Sequence, residues 1–136
     1  MSRHAERIWT GVFVAAALFN FLIAASLLFA RHWAFAIAFY SDGAPGIAAD
    51  LWADFGFCVA LIGLGYLIVA FDVTKNQALV WLGILAKGFD VIVLTWRWID
   101  GITRPLVLVP AAIDAGFIAL FIIFLVKTRN AYTRSE

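Results

Sequence analysis

Between Ile8 and Ala30 the chain runs 23 residues without a charged side chain, and that run constrains the fold more than any other feature. A helix rises about 1.5 Å per residue, so the run spans about 35 Å and matches a bilayer core of about 30 Å. A secretory signal core is shorter, about 7–15 residues, so the run reads as a membrane span and not as a cleaved leader. Three further segments have the same character: about 51–71, 78–96 and 105–126, the first span being about 8–30. The composition agrees, with 65% hydrophobic and 14% charged residues. A soluble domain carries about 25% charged residues, and one this short could not hide so much apolar surface from water. The sequence therefore predicts an all-α fold, a transmembrane antiparallel four-helix bundle forming one domain over residues 1–136, with the lipid bilayer as its main partner.

The connections support that division. Asp72-Val73-Thr74-Lys75-Asn76-Gln77 is a short polar turn. Asp100-Gly101 marks a second turn, and Pro105 can open the helix after it. Short links make the second, third and fourth spans neighbours. The first link, about 31–50, is different: Trp33, Phe35, Ile37, Phe39 and Tyr40 make it apolar and aromatic before Ser41–Gly46 breaks any helix. Two readings stay open for it, an interfacial anchor or a lid over a pocket.

Basic residues set the expected orientation. Arg3, Arg7, Lys75, Lys127, Arg129 and Arg134 fall on one side, and Arg31, Arg97 and Arg104 on the other. The positive-inside rule then places both termini in the cytoplasm, as in a bacterial inner-membrane protein. Small residues, which let helices approach closely in lipid, recur as Ala53, Gly56, Ala60, Gly63 and Ala70 in the second span. The first span has Gly11 and Ala15, and the fourth has Ala111, Ala112, Ala115, Gly116 and Ala119. These are expected packing seams within the chain, or seams for a second copy or a partner.

Lys87 and Asp90 lie inside the third span, on a stripe with Gly83, Leu94 and Arg97. Each central charge costs about 2.5–3.5 kcal/mol on the insertion scale, and the ten Leu, Ile, Val and Phe residues of the span recover only roughly 3–6 kcal/mol. The charges must therefore pair and face other helices. Lys87 and Asp90, three apart, can pair with each other. Counting rise from the helix ends puts Asn20, Lys87, Asp90 and Asp114 within one turn of depth. The four form a candidate midplane network of net charge −1, with a balancing proton, cation or water expected beside it. Two readings stay open: a device that fixes helix pairing, or a proton, ion or ligand site. Asp54 and Arg97 form a candidate pair at the opposite interface, and Tyr66 reads as a packed aromatic.

Several activities are disfavoured. A net charge of +1 gives no field for nucleic acid. His4 and His32 flank opposite ends of one span and cannot share a haem. HExxH, CxxC and phosphate-loop motifs are missing, Met1 is the only methionine and Cys58 the only cysteine, so no metal site, no catalytic set and no enzyme activity is expected.

Ala53-Asp54-Phe55-Gly56, Gly63-Leu64-Gly65-Tyr66, Lys87-Gly88-Phe89-Asp90, Pro110 and Asp114 follow a long first loop. In that order they resemble the small bacterial four-helix membrane proteins of the DoxX-like kind. The resemblance covers most of the chain after residue 40. It implies the fold, and some members are linked to quinone-associated redox enzymes; a bound lipid or quinone beneath the aromatic first loop is a separate alternative. It carries over no catalytic residue. The leading expectation is an accessory or interaction subunit of a bacterial inner-membrane assembly, with a membrane protein partner or a homo-oligomer. The alternatives are a proton or cation pathway, or a lipid- or quinone-binding protein.

Overall fold

The computed structural model describes residues 2–40 and 47–132. The break at Ser41–Gly46, Arg134 and the side chain of Arg129 lie outside the described residues. The chain forms α1 (Arg3–Phe29), α2 (Arg31–Ala38), α3 (Ile47–Phe71), α4 (Gln77–Ile99), a 3-10 turn (Pro105–Val107) and α5 (Leu108–Tyr132). It is an all-α four-helix bundle, and four helices are long and apolar enough to cross a membrane. The helices extend past the apolar runs because polar ends can be solvated: α1 starts at Arg3, where Ser2 accepts a hydrogen bond from the Ala5 amide.

The links have local causes. The Asp72 carboxylate accepts from the Thr74 amide and hydroxyl at 3.1 and 2.7 Å and bridges to Lys75 at 2.9 Å, a side-chain turn that ends α3. Asn76 Nδ2 donates to the Ile68 carbonyl at 3.2 Å and satisfies one of the last α3 acceptors. Gly101 has φ 71°, which glycine adopts without strain, and reverses the chain after α4. Pro105 opens the 3-10 turn, and Pro110 lies in the first turn of α5, where its missing N–H has no helical partner to lose.

α2 is a separate helix and not an extension of α1, because Ala30 leaves helical geometry at φ −125°, ψ 34°. It packs on α1, α3 and the 3-10 turn. Phe35 and Phe39 stack at 4.4 Å and both meet the Trp52 ring of α3 edge-on. Phe39 pairs with Thr103, and Arg104 donates from its amide to Ala38 O and from Nε to Phe39 O, both at 2.8 Å. The first link is thus tied to the α4–α5 link at one end of the bundle, called here the α2 end; the other is the turn end.

α1 and α3 form the closest pair. Ala24, Leu27 and Leu28 face Gly56, Phe21 and Asn20 face Gly63, and the Thr10 hydroxyl donates to Ala70 O. Numbers fall along α1 as they rise along α3, so these two helices run in opposite directions. A methyl group at Gly56 or Gly63 would come within 3.0 Å of Leu27 or Phe21, so the α3 stripe is a seam within the chain, as small residues permit. The other expected seams differ. Gly11 and Ala15 of α1 are exposed, and Ala16, Ala17 and Ala24 are buried instead; on α5 only Ala111 is buried, while Ala112, Ala115, Gly116 and Ala119 face outward. Phe13, Phe121 and Phe124 claim the facing surfaces with large rings, leaving no need for close backbone approach there.

The apolar core fills the turn end. Phe13 stacks on Phe121 at 5.0 Å and meets Phe124 edge-on at 5.1 Å, Trp9 meets Phe124 at 5.3 Å, and Tyr66 contacts Phe121 at 5.2 Å. Val69, Val73 and Val80 close the cluster. Such ring pairs add about 0.5–1.5 kcal/mol each beyond simple burial, which matters where lipid supplies no hydrophobic drive between helices.

Candidate functional site

The aromatic core ends at Lys87, whose exposure is only 3%. All four long helices converge on its ammonium. Nζ donates to Asn20 Oδ1 of α1 at 3.1 Å and to Asp114 Oδ1 of α5 in a direct ion pair. The rings of Phe19 on α1, Tyr66 on α3 and Phe117 on α5 stand around it at 5.4, 5.5 and 5.2 Å from their centroids. An ammonium has three donors; two meet oxygens, and the three rings offer their negative faces to the same charge.

Each partner is positioned in turn. Asn20 accepts from Lys87 through Oδ1 and donates from Nδ2 to the Val59 carbonyl of α3 at 3.3 Å. That reach depends on Gly63, where an added methyl would lie 3.1 Å from Asn20 Cβ. Tyr66, 1% exposed, donates to Gly83 O of α4 at 3.4 Å. Its ring occupies the space a side chain at Gly83 would need, with a Cβ falling 2.5 Å from the ring edge. The glycines on α3 and α4 therefore let one amide and one phenol reach the centre, and the centre is neutral because Lys87 and Asp114 cancel.

Asn20, Lys87 and Asp114 come together as their depths predict, but the pairing expected between Lys87 and Asp90 does not form. Lys87 pairs with Asp114 across helices. Asp90 is half-buried and makes no ion pair or hydrogen bond among the described residues. Lys87 and Asp90 point about 60° apart around α4, and the Lys87 ammonium meets Asn20 of α1 and Asp114 of α5 instead. Asp54 and Arg97 are both exposed and do not pair among the described residues. At that end Arg31 lies 3.7 Å from Asp50, Trp96 donates to Asp100, and Arg104 stacks over Tyr40. Thr103 is buried, with no partner for its hydroxyl among the described residues.

Phe19 and Phe117 were not legible as cage walls. The only trace was position: Phe19 precedes Asn20, and Phe117 lies one turn beyond Asp114. The described residues hold no group of three or more metal-ligating side chains. Two surface concavities, on the flank of α4 around Ile92 and Trp96 and at the α1–α2 corner around Phe29 and Trp33, lie apart from Lys87. Comparison with known proteins found no matching family model, no matching curated protein and no matching solved structure.

Proposed function

We propose that this membrane protein is an accessory or interaction subunit of a bacterial inner-membrane assembly, with both termini cytoplasmic and a DoxX-like ancestry. One observation carries the reading. Lys87, the charge buried deepest, is neutralised and enclosed by its own chain, so it serves as a staple joining four helices. Small residues on α5, Ala112, Ala115, Gly116 and Ala119, meanwhile face outward, where they allow a neighbouring helix to approach. Purification from native membranes in mild detergent, followed by native mass spectrometry, tests it. A stoichiometric partner protein that is lost in Gly116→Leu is the expected result; a partner-free monomer overturns it.

Asp90 favours a second reading. A mid-span carboxylate with no partner among the described residues is a natural proton or cation relay, and Asp90 and Asp114 flank Lys87 in the sequence. That reading expects pH-dependent flux into liposomes that disappears in Asp114→Asn, and equal flux in the variant removes it. The same mass spectra report a co-purified lipid or quinone, the remaining alternative.

A further inference from the structure

The bend between α1 and α2 holds a concavity of about 610 Å3, lined by the six consecutive residues Leu28, Phe29, Ala30, Arg31, His32 and Trp33. Its size falls in the roughly 300–1,000 Å3 range of ligand sites. Two kinds of side chain line it. Leu28, Phe29 and Trp33 are apolar, and Phe29 is 88% and Trp33 60% exposed. Arg31 and His32 are basic, and no acidic side chain among the described residues lines the concavity. Because Ala30 breaks the helix, α2 starts afresh at Arg31 without a side-chain cap, and the amides of Arg31, His32 and Trp33 have no partner among the described residues. Open N–H groups at a helix start add to the preference of the two basic side chains for an anion.

Depth fixes what lies beside this corner. The uncharged run Ile8–Ala30 ends at the bend. Leu28 and Phe29 therefore belong to the last turn of the span and meet acyl chains, while Arg31 and His32 are the first residues beyond it, level with the lipid headgroups. Trp33 is of the residue type that sits at that boundary. Arg31 is held only loosely by its own chain. Asp50 of α3 lies 3.7 Å from it, too far for a hydrogen bond, and the Asp50 side chain is 73% exposed. An exposed pair of that kind is weak, so an incoming anion can take over the Arg31 donors.

We propose that the α1–α2 corner binds an anionic phospholipid, with Arg31 and His32 on its phosphate and an acyl chain against Leu28 and Phe29. The occupant follows from charge and from the apolar lining together. A soluble anion would meet Arg31 and His32 but leave Phe29 and Trp33 unused. A zwitterionic lipid carries its own cation beside the phosphate, and that cation competes with Arg31. A partner helix would cover Phe29 but strip water from two basic side chains without an anion to replace it. An anionic phospholipid meets both the basic and the apolar residues. The inference stands apart from the accessory-subunit role, and its failure would leave that reading untouched.

The test is native mass spectrometry of the purified full chain in mild detergent, titrated with phosphatidylglycerol and with phosphatidylcholine of the same acyl chains. The first phosphatidylglycerol should bind about fivefold or more tighter than the first phosphatidylcholine, and Arg31→Gln/His32→Gln should lose that preference. Asp50→Asn, which releases Arg31, should tighten phosphatidylglycerol binding about two- to fivefold. Arg97→Gln, which removes an exposed basic residue at the same end of the bundle, should leave the preference as it is. Should the double variant fail to fold by circular dichroism, fluorescence carries the test. Brominated phosphatidylglycerol should then quench Trp33, read as the difference between wild type and Trp33→Phe, more than brominated phosphatidylcholine does. Equal affinity for the two lipids overturns the proposal, as does an unchanged preference in the folded double variant. An equal loss in Arg97→Gln would reveal diffuse charge attraction and overturns it too. Displacement of the lipid by millimolar inorganic phosphate would assign the corner to a soluble anion instead.

Discussion

Replacing Asp114 by Asn should destabilise the bundle by about 3 kcal/mol, while replacing both charges by apolar residues should not. Breaking a buried ion pair from one side costs about 3–5 kcal/mol in soluble proteins, because the remaining charge keeps its desolvation penalty. Here the stranded ammonium would retain Asn20 and three rings, and a desolvated cation–π contact is worth about 2 kcal/mol, which sets the loss at the lower end. Lys87→Met leaves Asp114 buried with no basic partner and no ring face to favour it, so its cost should be equal or larger. The double variant Lys87→Met/Asp114→Leu keeps side-chain volume and removes both penalties, and exchanges of this kind are often neutral or stabilising by about 1–4 kcal/mol. Reversible unfolding in mixed detergent and SDS micelles measures all four proteins. The expected pattern is two single changes that each cost well above the roughly 0.6 kcal/mol average for polar contacts between membrane helices, and a double change within about 1 kcal/mol of wild type. Single changes that each cost less than that average would show that Lys87 and Asp114 do not staple the helices, and the structural role assigned to them would fall.

Three further outcomes follow from local geometry. Gly83→Ala should cost about 1–3 kcal/mol by overpacking against Tyr66, whereas Gly65→Ala, with open space around it, should be neutral or stabilise by up to about 1 kcal/mol through helix propensity; unfolding midpoints of the two variants decide. Thr103→Val should stabilise by about 1 kcal/mol, since it removes a buried hydroxyl that has no partner among the described residues, and a lower unfolding midpoint would refute that reasoning. In the exposed α3–α4 turn, the bond from Lys75 and those from Thr74 hold the Asp72 carboxyl at about 2, below its ordinary 3.8, while Asp72 raises Lys75. Because the folded value is depressed, the small stabilisation is complete above about pH 4 and is lost as pH falls through about 2; wild type and Asp72→Asn should differ slightly at neutral pH and converge at pH 2 in thermal unfolding curves.

Legibility of the site divided along the helix axis and around it. Depth was readable, because rise per residue is constant: Asn20, Lys87 and Asp114 meet as counting places them. Direction around each helix was readable only for α3, whose glycine stripe leaves one close-packing face. For Lys87 two carboxylates lay within reach, and spacing alone favoured Asp90 on the same helix. A long flexible lysine side chain follows the vacancy its neighbours leave, and that vacancy lies between Asn20 and Asp114. The outward turn of Gly11, Ala115 and Gly116 escaped prediction for a related reason. In lipid a small residue is equally comfortable in a seam or on the surface, so hydrophobicity does not say which face is which.

The amino-acid sequence by itself determined the class of solvent, the number of long apolar helices, their approximate ends and the shared depth of three polar groups. Those properties follow from the length of uncharged runs and from fixed helical rise, which need no knowledge of neighbours. Tertiary structure alone decided which carboxylate holds Lys87, which aromatic rings enclose it, that α2 is fastened to the α4–α5 link, and that Asp90 stays outside the Lys87 ion pair. Each of these depends on how faces of different helices meet, and inside a membrane that meeting is set by shape and a few polar bonds, because the surrounding lipid is as apolar as the side chains it touches.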